Sequence, residues 1–260
     1  MRITLMICVG LSILVSSFAS SEDGTYRGMD LAKRFGIQFE VCTLREGKTL
    51  AQVEKLNSKF NQILTEIESK GTGLRLTPFY SHGTPQNPSA DFIDIFVGPI
   101  QEFGNTWTAF MASNDGPKVY QEFQKLAKCH NKFAFGIPKM TDVQQMLSTN
   151  ERVITFNWCS AKEGVTQDQL RTKHDAWLAA NKGSFQAAAW SIIEPQQGAG
   201  LFHGRFAHMN VFTSLNQMFA NEEWIANGGG LAGIDDYYSA YASCDGNSSY
   251  VGTDIYRAPN

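Results

Sequence analysis

The chain has 260 residues, 43% of them apolar and 18% charged, with 22 basic against 25 acidic side chains. That is apolar surface enough for one large or two small cores, and it excludes an intrinsically disordered chain. A net charge of −3 without basic clusters leaves no electrostatic footprint for nucleic acid.

Residues 1–19 carry a basic start at Arg2, an apolar run from Ile3 to Val15 and a Ser17-Phe18-Ala19 end, which reads as a cleaved secretory signal. The run is shorter than the roughly 18–20 residues of a spanning helix, so no membrane anchor is expected after cleavage. Residues 20–36 read as a loosely held leader of a secreted or periplasmic chain. Ile37, Phe39 and Val41 then alternate with Gln38, Glu40 and Cys42, the period of a half-buried strand. Thr49-Leu50-Ala51-Gln52 is a capping box. It opens one long helix whose buried face is Val53, Leu56, Phe60, Ile63, Leu64 and Ile67. Strands at residues 74–80 and 92–97 flank a Pro-containing loop. Asp115 and Pro117 open a helix with a Val119, Phe123, Leu126 stripe, and a strand at 133–137 ends the unit.

Residues 139–150 link this unit, 37–138, to a second one, 151–257. The second is a copy of the first. At an offset of 117 positions Cys42 falls on Cys159, Gly47 on Gly164, Thr49 on Thr166, Val53 on Leu170, Phe60 on Trp177 and Pro78 on Pro195. The copy predicts strands at 153–159, 187–193, 202–212 and 250–256, and helices at 167–181, 215–226 and 235–243, the last with tyrosines at 237, 238 and 241. Gly228 to Gly230 is a break between helices, without the context of a dinucleotide loop.

Cys8 leaves with the signal, and four cysteines allow three pairings. Each copy owns one early and one late cysteine, which favours Cys42 with Cys129 and Cys159 with Cys244 in an oxidising compartment. No CxxC or HxxxH spacing suggests a metal.

Strand, helix, strand, strand, helices, strand is the order of the ferredoxin-like βαββαβ unit, so the predicted class is α+β with two tandem repeats. Its usual sheet order sets the fourth strand beside the first, which brings each early cysteine to its late partner. Two such units resemble the dimeric α+β barrel superfamily, over roughly Ile37 to Arg257. That superfamily includes antibiotic-biosynthesis monooxygenase-like, EthD-like and haem-binding chlorite dismutase-like proteins. The chain is also similar to secreted bacterial proteins of unassigned function with the same early-Cys, late-Cys pattern. The resemblance implies two facing sheets with helices outside and a pseudo-twofold axis. No catalytic motif of those families matches, so none of their site residues carries over.

With the helices on the Ile93, Ile95, Val97 face, the opposite faces would line the space between the sheets: Phe92, Asp94 and Phe96 in one repeat, Phe206, His208 and Asn210 in the other. Gln38, Glu40, Thr155 and Asn157 join them from the first strands. Aromatic walls with a few convergent polar groups are the pattern of a small-molecule site. Asp94 and His208 hold equivalent positions, and a carboxylate beside an imidazole is an acid/base pair for neutral pH. The competing reading makes His208 a hydrogen-bonded strand residue and Asp94 a rim residue. His174, bordering a buried helix face, reads as packing. His82 and His130 are loop and helix-end residues, and His203 a surface one. The motifs require no cofactor, though a haem-ligating histidine stays open among these. Asn247-Ser248-Ser249 is a glycosylation sequon for a eukaryotic source. The expected function is binding of a small apolar or aromatic compound between the sheets, extending to cofactor-independent turnover. The alternative is a non-catalytic extracytoplasmic interaction module.

Overall fold

The computed structural model describes residues 24–83, 89–202 and 204–258. The signal segment and His203 lie outside the described residues. A two-stranded ribbon, β1 (Thr25–Tyr26) and β2 (Met29–Asp30), leads into the first repeat. That repeat comprises β3 (Phe35–Leu44), α1 (Leu50–Glu54), α2 (Asn57–Glu66), β4 (Thr72–Tyr80), β5 (Phe92–Gly98), α3 (Ile100–Ala112), α4 (Gly116–Leu126) and β6 (Ala127–Thr141). After α5 (Val143–Leu147) the second repeat follows with β7 (Glu151–Ala161), α6 (Gln167–Asn181), β8 (Ala189–Gln197), β9 (Phe206–Phe212), α7 (Leu215–Asn227), α8 (Gly230–Ala240) and β10 (Ala242–Arg257).

Eight strands close into an antiparallel barrel in the order β10-β4-β5-β3-β6-β8-β9-β7. Each repeat contributes four neighbouring strands, and its long last strand also pairs with the other repeat: β6 with β8, β10 with β4. This shared strand removes both open edges of each sheet. The expected repeat and its sheet order are both present.

An eight-stranded barrel has an interior just wide enough for side chains or for one small ligand. Ile37, Leu74, Leu76, Ile93, Ile95, Ile154, Phe156, Ile193, Met209 and Val211 fill it as one buried cluster. The face assignment expected from sequence is therefore inverted. Ile93, Ile95 and Val97 point into the barrel, while Phe92, Asp94 and Phe96 point outward, under the helices. Phe92 is buried with Cys42, Val53 and Phe123 beneath α1 and α4, and Phe206 with Cys159, Leu170 and Tyr237 beneath α6 and α8.

Two further expectations are corrected. The leader is held: Tyr26 and Met29 are buried in the barrel cluster, so the ribbon plugs one end. The first long helix is two, restarted at Asn57 after a tight turn in which Leu56 N donates to Val53 O. The capping boxes form as expected, Gln52 Oε1 accepting from Thr49 N at 2.9 Å and Gln169 Oε1 from Thr166 N at 2.8 Å.

The disulfides are Cys42–Cys129 and Cys159–Cys244, each joining residues directly opposite on paired strands of one repeat. They span 87 and 85 residues, so the loop entropy each removes from the unfolded chain is nearly equal. Replacing either pair by serines is expected to cost about 2–4 kcal/mol, with similar losses for the two pairs. Denaturant midpoints of the two double variants check this, and a severalfold difference between them would break the equivalence.

Candidate functional site

The outward residues form one row across each sheet. In the first repeat the register pairs Arg75 with Asp94, Asp94 with Glu40 and Glu40 with Asn131. In the second it pairs Ile192 with His208, His208 with Asn157 and Asn157 with Asn247. Asp94 and His208 are thus equivalent, as the sequence implies. They do not face one another, because each lies under the helices of its own repeat. Arg75, Asp94 and Glu40 line one cavity of about 130 Å³, and His208, Asn157 and Asn247 line another of the same size.

In the first cavity Arg75 grips Asp94 with two bonds, Nε to Oδ1 at 2.7 Å and Nη2 to Oδ2 at 2.6 Å, while its Nη1 donates to Asn57 Oδ1 at 3.0 Å. Asp94 is therefore an ion-pair partner, its carboxyl pushed up by burial and pulled down by Arg75. Glu40 is the freer acid. Trp107 Nε1, a donor only, donates to Gln38 Oε1 at 2.8 Å, which turns Gln38 Nε2 onto Glu40 Oε1 at 2.9 Å. Among the described residues no hydrogen bond reaches Glu40 Oε2, and Glu40 lines the cavity with Phe60, Phe96, Phe103, Trp107 and Phe110. Burial and the Asp94 charge raise the Glu40 carboxyl from 4.5 to about 7, against the pull of Gln38 and Arg75.

The second cavity is built around a hydrogen-bonded chain. Trp190 Nε1 donates to His208 Nδ1 at 3.3 Å, so the neutral imidazole carries its proton on Nε2. That proton points at Tyr237 Oη, 3.3 Å away, and the Tyr237 hydroxyl in turn donates to His174 Nε2 at 2.8 Å. Burial lowers His174 from 6.5 to about 4, helped by Lys139, and lowers His208 from 6.5 to about 3, helped by His174. Burial likewise pushes the Tyr237 phenol up. Asn157 donates to Tyr238 Oη at 2.8 Å and Asn210 to Thr155 Oγ1 at 3.3 Å.

Of the residues singled out from sequence, Glu40, Asp94 and Phe96 share the first cavity, and Asn157, His208 and Asn210 the second. Phe92 and Phe206 line neither. Sequence reasoning missed Arg75, Trp107 and Tyr237. Tyr237 sits in the tyrosine-rich helix, and Arg75 is the one basic residue in an apolar strand. Among the described residues no three His, Cys, Asp or Glu side chains gather as for a metal ion. No described helix is long and apolar enough to cross a membrane.

The two sites give opposite pH dependences. Glu40 has a raised folded pKa, so its contribution to stability is complete below 4.5 and is lost as pH rises through about 7. The histidines have lowered folded pKa values, so theirs is complete above 6.5 and is lost as pH falls toward 4 and 3. Glu40→Gln should therefore raise Tm over the parent by several degrees at about pH 8 and by little at about pH 4.5, at roughly 2–4 °C per kcal/mol. Thermal melts across that range read the effect, and a pH-independent difference would contradict it.

No protein-family model matches the chain, and no curated protein does. Solved structures match along most of its length. A monooxygenase-titled protein from Fusobacterium nucleatum superposes with TM-score 0.51 at 6% identity, over 86% of this chain and 93% of that one. A protein titled as a chlorite dismutase gives 0.51 at 7%, over 86% and 96%. A DypB variant from Rhodococcus jostii, in complex with heme, gives 0.51 at 8%, over 85% and 93%. At such identities the likeness is one of fold. The chain has the fold of the dimeric α+β barrels, with both ferredoxin-like halves in one polypeptide.

Proposed function

We propose that this chain is an exported small-molecule-binding protein that takes a compact apolar or aromatic ring into the cavity beneath the helices of its first repeat. There Glu40 serves as a cofactor-independent acid or base. The reading rests on Glu40: a carboxyl with one oxygen held by Gln38 and the other turned to an aromatic cavity. A pKa of about 7 keeps both protonation states available at neutral pH, as general acid–base catalysis requires. The cavity of about 130 Å³ is close to the roughly 150 Å³ that holds a benzene ring in an engineered apolar core. Arg75 is held by Asp94 in a two-bond ion pair, so no cation is bonded to the Glu40 carboxyl. Asp94 contributes its charge, and Phe96 a wall.

Haem, which the Rhodococcus protein holds, does not fit either helix-side cavity. Each cavity of about 130 Å³ is below the roughly 300 Å³ at which ordinary ligand pockets begin. Both His208 nitrogens are already engaged, by Trp190 and Tyr237.

A thermal-shift screen of one-ring compounds, phenols and cyclic ketones foremost, tests the reading. A binder present at about 100 times its Kd should stabilise by about 2.7 kcal/mol. Glu40→Gln should abolish the pH dependence of that gain and any deuterium exchange into the bound ring compound. A chain stabilised by no such compound would instead be an interaction module.

A further inference from the structure

The barrel is unlike at its two ends. One end is plugged by Tyr26, Met29 and Met146, all buried in the interior cluster. At the other, where both disulfides lie, the aliphatic filling stops and a cavity of about 550 Å³ opens between the sheets. That volume is within the range of ordinary small-molecule sites. Both repeats build its walls: Phe39, Val41 and Ile93 from one, Phe156, Trp158 and Tyr250 from the other. Its floor is a run of edge-on rings, Phe39 to Phe156 at 5.9 Å and Phe156 to Tyr250 at 5.8 Å.

The rim is cationic. Lys132 stands opposite Phe39 on the paired strands and is half-buried. Its Nζ donates to the Gly198 carbonyl at 2.8 Å, leaving two ammonium protons for another acceptor. Arg205 is held by Asp245 at 2.7 Å and by the Trp158 carbonyl at 2.9 Å. Asp245 is the one carboxylate among the described lining residues, and it is spent on Arg205. The mouth therefore presents an unneutralised ammonium in front of an aromatic throat. An apolar site with one cation at its entrance matches an apolar ligand with one anion at its end.

We propose that this mouth binds an amphipathic monoanion, a medium-chain carboxylate, with its tail between the sheets and its carboxylate on Lys132. The site is separate from the Glu40 cavity, which lies outside the barrel wall.

The test is calorimetric titration of the disulfide-intact chain with decanoate below its micellar concentration, and with decanol as the uncharged counterpart. Decanoate should bind one to one. Lys132→Gln should weaken it about tenfold or more, as loss of a charge-assisted contact does, with decanol unaffected. Val41→Trp, which fills the throat, should abolish both ligands, and circular dichroism checks that this variant folds. Glu40→Gln and Leu64→Phe, in the helix-side cavity, should change neither affinity. An absence of decanoate binding would overturn the proposal. So would equal affinity for the Lys132→Gln variant, or loss of binding in Leu64→Phe, which would put the ligand under the helices.

Discussion

The arrangement depends on two long strands that each serve two sheets. β6 pairs with β3 of its own repeat and β8 of the other, and β10 with β7 and with β4. A sheet closed in this way has no free edge and an interior fixed by strand number. Eight strands leave room for side chains or one small ligand, and aliphatic residues take most of the inside. The inner face keeps one ion pair, Arg152 with Asp254, fully buried at the plugged end, and the two candidate rows lie in the outer layer, between strands and helices.

Duplication lets the two rows be compared position by position. Ile192 occupies in the second sheet the place of Arg75 in the first, and the second repeat folds on the same plan without an ion pair there. The fold therefore does not need the Arg75–Asp94 charges. Burying such a pair is seldom a net gain over apolar residues of similar size. The first repeat keeps the pair, and Asp94 in turn raises the facing Glu40. The second repeat has gone the other way, with a neutral chain of Trp190, His208, Tyr237 and His174 oriented from one end by a side chain that can only donate. One backbone register carries two unlike chemistries, a charged row with one freer acid and an uncharged relay.

Much of this was legible in the sequence: the doubling, the cysteine pairing, the capping boxes and the α+β class all follow from spacing. What was not legible was which strand face looks inward. A two-residue period separates Ile93, Ile95 and Val97 from Phe92, Asp94 and Phe96, but both sets are buried in a barrel wrapped by helices, so alternation alone does not say which is inside. The interior cluster decides: Ile93 and Ile95 pack inside it, and Asp94 meets its partner Arg75 under the helices. Glu40 was placed among the lining residues, and its standing as the freer acid was legible as well. The ferredoxin-like order already set β3 beside β5, and counting along the strands puts Glu40 opposite Asp94, two acids whose proximity must raise one of them. The plug was hidden for another reason: Tyr26 and Met29 are two apolar residues in a polar segment, too few to make a pattern.

The same closure explains why the bridges sit where they do. At the plugged end the ribbon and α5 fill the bore, and packing holds the strands together. At the open end no side chain of the described residues fills the bore between Val41, Trp158 and Tyr250. There Cys42–Cys129 ties β3 to β6, and Cys159–Cys244 ties β7 to β10, at the last residues before the mouth. The sulfur atoms lie on the helix side of the sheet, so they hold the rim without occupying the cavity. A covalent tie does at this end what a packed core does at the other, and it leaves the space free.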